Sequence, residues 1–181
     1  ACAPISSPWV ARWQRQLVLR GRAFARAGYP DCEALLIVEV EGSDEEIDAQ
    51  LERILAIART HNPVELREST SADESARIWL GRKSAFGAMG QINDYMCLDG
   101  TIPVNELPMV LRRIGEMSDD YGLKVGNVFH AGDGNMHPLI LFDANKPGDL
   151  EKCEAFGADI PPPFVSAGQL THLEAPAGGA A

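Results

Sequence analysis

Residues 128 to 138 read VFHAGDGNMHP, with His130 and His137 on either side of Gly132-Asp133-Gly134-Asn135. Two converging imidazoles can hold one metal ion, and with one carboxylate added the set suits zinc, manganese or iron. Asp133-Gly134 signals a two-residue hairpin, because a type I′ turn needs positive φ at both centres. Counting outward from that turn sets Gly132 against Asn135, Ala131 against Met136 and His130 against His137. Directly opposed residues share a sheet face with Cβ atoms about 4.5–5.5 Å apart, close enough for chelation. A bulge would break this register. Two histidines do not complete a zinc site, which keeps three protein ligands even when open. Asp133, at the turn tip, points poorly for the third place. The alternative is a structural pair of histidines beside a glycine turn. A calcium EF-hand is excluded, since its acidic spacing and closing glutamate are missing.

The elements that must carry this hairpin are legible as patterns. ALLIVEVEG (34–42) is an aliphatic, β-branched run stopped by Gly42, which predicts a buried strand. Ser43 with Glu46 is a capping box that opens a helix, and Ile47, Leu51, Ile54, Leu55 and Ala58 give it one apolar face. VELRES (64–69) alternates as a half-exposed strand should. Ser71 with Glu74 starts a second helix to about Ile92, with Trp79, Arg82, Lys83 and Phe86 along one side. DYMCLDGTIP (94–103) reads as a short strand and a turn. Asn105 to Tyr121 is a third helix, its inward residues Leu107, Val110, Leu111, Ile114 and Met117, ended by Gly122. LKVGNVFH and HPLILFD are two strands around the opening turn, and a last helix covers 148–158. This order predicts an α+β domain, an antiparallel sheet with helices mostly on one face, ferredoxin-like in character. Residues 161–181 are rich in Pro, Gly and Ala, and the expectation is a largely disordered tail.

The whole chain sets limits. Its 181 residues carry 45% hydrophobic and 23% charged side chains, enough for one domain with a core. A net charge of -10 excludes non-specific nucleic-acid binding. Residues 1–30 hold five arginines and no acid, read as a leader outside the fold. Four scattered cysteines, with no C-x-x-C, predict reduced thiols and a cytoplasmic setting. No apolar run reaches the length of a membrane span, and no secretory signal is visible.

NVFHAGDGNMHPLILFD, with DYMCLDGTIP and ALLIVEVEG before it, resembles the C-terminal domain of FAD-linked 2-hydroxy-acid oxidoreductases. It looks similar to the FAD-linked subunit of glycolate oxidase, with D-lactate and D-2-hydroxyglutarate dehydrogenases as relatives. The likeness covers about 24–160, leaving 1–23 and 161–181 unmatched. It implies His130 and His137 as ligands of a divalent metal, Zn, Mn or Fe. It implies Arg82 on the substrate carboxylate, Asn135 at the cofactor, and FAD held chiefly by a separate domain. Relatives adapted to a dicarboxylate carry a threonine, a lysine and an asparagine where this chain has Phe86, Cys97 and Leu139. That points to a small 2-hydroxy acid, glycolate or D-lactate. The family's third metal ligand and its base lie in a Gly-Glu-His-Gly block. PPPFVSAG follows Ile160 here, and His172 and Glu174 have no matching flanks. The expectation is a truncated or frame-shifted chain, inactive alone, with no catalytic base assigned. It would serve beside other subunits of a glycolate-oxidase-like complex. The competing expectation is a non-catalytic α+β module that binds a ligand or pairs as a homodimer through an uncovered apolar face.

Overall fold

The structure, a computed structural model, describes residues 28–30, 32, 34–160, 165–166 and 171–173. The expected leader, 1–23, lies outside the described residues. The elements are α1 (Asp44–Arg59), α2 (Ala72–Gly90), β1 (Asp94–Cys97), β2 (Gly100–Thr101), a 3-10 turn (Val104–Glu106) and α3 (Leu107–Tyr121). They continue with β3 (Lys124–His130), β4 (Asn135–Phe142), α4 (Asp149–Ala158), β5 (Val165–Ser166) and β6 (Thr171–Leu173).

Strand β4 is the hub of one antiparallel sheet. It pairs with β3 along one edge and with β1 and β2 along the other. Cys97 pairs with Leu139 and Gly100 with Met136, so β1 and β2 keep one register against β4 across the break between them. Leu98 N donates to Pro138 O at 3.0 Å inside that break. By the same register Asp99 falls level with His137.

The alternation of β4 divides the molecule into two packed layers. Met136, Ile140 and Phe142 face α3 and α4 and meet Val110, Ile114, Met117, Cys153 and Phe156, all buried. Burying each such aliphatic or aromatic side chain stabilises the fold by about 1.5–3 kcal/mol. Leu139 and Leu141 face the other way and pack with Met89 of α2, Tyr95 and Cys97. Helices α3 and α4 thus share one sheet face, and the C-terminal half of α2 lies on the other. Gly122 ends α3 in the left-handed conformation at φ 63°, as its sequence position predicts.

Two strand expectations from the sequence are corrected. Residues 34–42 form no strand, and Leu35, Leu36 and Val38 are exposed. Residues 64–69 likewise form no strand, with Val64 and Leu66 exposed. Both runs have strand composition, but a strand needs a partner for its N–H and C=O groups, and the described residues supply none. Two short segments after Ile160 join the sheet. Val165–Ser166 pairs with Gly100–Thr101, and Thr171–Leu173 pairs with Tyr95–Cys97. Backbone pairing to an open sheet edge does not need an apolar sequence, so composition misses it.

Candidate functional site

The hairpin exists, but its register differs from the one counted from the turn. His130 pairs with Asn135, Phe129 with Met136 and Val128 with His137. The loop is the four residues 131–134, closed by Gly134 N donating to His130 O at 3.0 Å. Asp133 takes no type I′ position. Its Oδ1 accepts from Asn135 N at 3.0 Å, and Gly134 alone in the loop has positive φ, at 76°. The aspartate's own side chain closes the turn, which moves the turn centre back.

The slip is two residues, an even number, so no side chain changes face. His130, Asn135 and His137 stay on one face, and the two histidines become diagonal neighbours. Their ring centroids are 5.7 Å apart with planes at 82°. The pair expected from direct opposition is therefore reached by a different route.

Other elements close around His137. Its ring meets the Phe86 ring edge-on, centroids 6.2 Å apart. Its Nδ1 lies 3.5 Å from Asp99 Oδ1. Burial pushes its pKa below the ordinary histidine value, Asp99 pulls it up, and the charges of His130 and Arg82 push it down further. Asp133 pulls it up weakly. Arg82 sits one turn before Phe86 on α2, half-buried, close enough for that repulsion to be felt.

Of the expected residues, His130, Asn135 and His137 share one face of the hairpin, and Arg82 of α2 is near enough for its charge to act on His137. Asn135 Oδ1 is buried and has no hydrogen-bond partner among the described residues. Among the described residues, no group of three or more His, Cys, Asp or Glu is arranged to hold a metal ion. In β6, His172 sits opposite Met96, and Met96 pairs with Ile140, three residues along β4 from His137. Glu174 lies outside the described residues. Cys97 and Leu139 are buried in the apolar cluster beneath α2. Asp99 was missed from sequence. Its signal lay in the β1–β4 register, which places it level with His137 but requires both strands to be aligned first.

The model of the family described as FAD linked oxidases, C-terminal domain, matches residues 9–173. The chain belongs to that family. The match starts inside the expected leader and ends inside the expected tail. Glycolate oxidase subunit GlcD of Escherichia coli (strain K12) is 48% identical over 139 residues, 76% of this chain and 28% of that protein. Glycolate oxidase subunit GlcD of Bacillus subtilis (strain 168) is 27% identical over 139 residues, 76% of this chain and 30% of that protein. The mitochondrial D-lactate dehydrogenase [cytochrome] of Arabidopsis thaliana is 26% identical over 122 residues, 66% of this chain and 22% of that protein. The chain spans under a third of the length of each. Among the described residues, no helix is long and apolar enough to cross a membrane.

Proposed function

We propose that this chain is the substrate- and metal-binding part of an FAD-dependent 2-hydroxy-acid oxidoreductase that acts on glycolate or D-lactate. The observation that carries the reading is the pair of His130 and His137 on one face of the hairpin, their rings 5.7 Å apart, with the charge of Arg82 felt at His137. Family membership supports it, since the relatives carry glycolate oxidase and D-lactate dehydrogenase names.

The donors fit a metal in type, two imidazoles on one face, and supply two of its ligands. A divalent metal supplies Lewis acidity to a hydroxyl. Arg82 takes the substrate carboxylate, because a guanidinium forks onto two carboxylate oxygens. Asn135 suits a cofactor contact, since a buried carbonyl oxygen without a partner is stabilised by a ligand's N–H or O–H. A flavin supplies the two-electron acceptor that no side chain can provide. The chain alone therefore lacks redox activity and works beside a flavin-binding portion, with the further subunits of a glycolate-oxidase-like complex as its partners.

The test is calorimetric titration of the purified chain with Zn²⁺, then with glycolate. Wild type should bind zinc, and His130→Ala and His137→Ala should each abolish binding. Arg82→Met should spare zinc and weaken glycolate. A zinc isotherm indifferent to both histidines would sink the metal assignment.

A second reading is a non-catalytic, self-associating module. The exposure of Leu36 (69%), Val38 (51%) and Val64 (77%) favours it, since exposed aliphatics can be covered by a partner. Sedimentation equilibrium separates the two readings: a dimer dispersed by Leu36→Lys supports association, and a monomer at all concentrations refutes it.

A further inference from the structure

We propose that Asp99 is a positioning residue for His137: its carboxylate takes the Nδ1–H and so commits Nε2 as the ring's ligating nitrogen. The inference rests on the metal reading above only for what Nε2 is used for.

The geometry has three parts. Asp99 Oδ1 stands 3.5 Å from His137 Nδ1, the shortest ion-pair contact the ring makes with any described residue. This is an ion-pair distance, a few tenths of an ångström beyond a formed N–H···O bond. The carboxylate is 48% exposed and is free to close that gap, whereas the imidazole is 17% exposed and held. The Phe86 ring lies edge-on at 6.2 Å and the His130 ring edge-on at 5.7 Å, so the His137 ring is confined from two sides.

The backbone holds Asp99 in place as well. β1 and β2 share one register on β4, and Leu98 N donates to Pro138 O at 3.0 Å across their break. The break therefore frees the strand from regular pairing without letting Asp99 drift along it. Asp99 comes from the break between β1 and β2 and not from either histidine strand, so the hairpin alone cannot set the ring's orientation.

The chemistry follows from proton counting. A neutral imidazole carries one N–H, and a carboxylate accepts but does not donate. If Nδ1 holds the proton for Asp99, Nε2 keeps its lone pair and becomes the ligand. A carboxylate behind a ligating histidine fixes tautomer and orientation and raises the basicity of the ligating nitrogen. In water, neutral histidine favours the opposite tautomer, with the proton on Nε2. The Asp99 contact is what reverses that preference here.

The test reads the tautomer directly, by long-range ¹H–¹⁵N correlation of the His137 ring in the metal-free 181-residue chain. Wild type should show Nδ1–H. Asp99→Asn keeps an acceptor oxygen and should retain it, while Asp99→Ala should shift the ring towards Nε2–H. A wild-type ring protonated on Nε2 overturns the proposal, and that measurement needs no variant to fold. Zinc titration supplies the second arm. Asp99→Ala should weaken zinc by about 10–100-fold, and unchanged affinity also overturns the proposal. If wild type binds no zinc at all, the metal reading of His130 and His137 fails, while the tautomer still decides the role of Asp99.

Discussion

Gly134 and Ile102 are locked backbone to backbone: Ile102 N donates to Gly134 O at 3.0 Å, and a Cβ on Gly134 would stand 2.0 Å from Ile102 O. The loop between the two histidine strands is thereby seated on the segment after β2. Gly134 also has φ 76°, a conformation that L side chains resist. Gly134→Ala meets both obstacles, and neither neighbour is a side chain that can swing away. It should cost roughly 2–5 kcal/mol in urea unfolding, the strain and the overlap each contributing. Gly132→Ala is the control. It has open space around its Cβ and no positive φ, so it should stay within about 0.5 kcal/mol of wild type.

That lock also shows what sequence could and could not give. Asp133-Gly134 correctly marked a turn, and the Cys97–Leu139 strand pair is implicit in two apolar runs. The turn's type was not legible, because the docking of Gly134 on Ile102 is a contact between residues 32 apart in sequence. The two histidines still share a face because strand periodicity is two and the slip was two. Helix patterns were more secure: Val110, Ile114 and Met117 are buried where spacing placed them. Residues 34–42 fail for the opposite reason. Their composition describes a strand, but pairing is a property of two segments, and one segment cannot announce its partner.

Helix α1 should be the least protected helix of the domain. It has no buried residue, whereas α3 buries Val110, Ile114 and Met117. Its order rests on local devices, chiefly the complete capping box in which Ser43 accepts from Glu46 N and Glu46 accepts from Ser43 N. Amide hydrogen exchange should therefore be faster across 44–59 than across 107–121. Ser43→Ala should remove about 1 kcal/mol of helix stability and raise exchange in α1 alone. Equal protection of the two helices would mean that α1 is held by contacts outside the described residues.

The acid limb of stability should carry a signature of Asp149. This buried carboxylate receives Lys146 Nζ at 2.8 Å and accepts from Asp143 N at 3.3 Å. The Lys146 hydrogen bond, the largest influence, holds its pKa below the ordinary aspartate value. The folded state then takes up a proton less readily than the unfolded chain. Its stabilisation is complete above the unfolded value, about 3.9, and is lost as pH falls through the lower folded value. Thermal unfolding followed below about pH 4 should fall less steeply in Asp149→Asn than in wild type. Parallel curves for the two proteins would assign the acid loss to other carboxylates.

Leu139→Asn tests whether the floor beneath the histidines is open to a polar ligand. Leu139 is 0% exposed and packs with Met89, Tyr95, Cys97 and Leu141. An amide placed there loses the packing of the isobutyl group and brings polar atoms into an apolar cluster with no partner at hand. The expected cost is roughly 2–4 kcal/mol by urea unfolding, with no gain in affinity for a 2-hydroxy dicarboxylate. The size of the cost is informative because the two outcomes have different structural meanings. A stable variant that binds the dicarboxylate would show that position 139 faces the ligand space, and the proposed preference for a small monocarboxylate would then be a matter of one side chain. A destabilised variant that still binds glycolate would show that the apolar floor supports the histidine wall from behind without touching substrate.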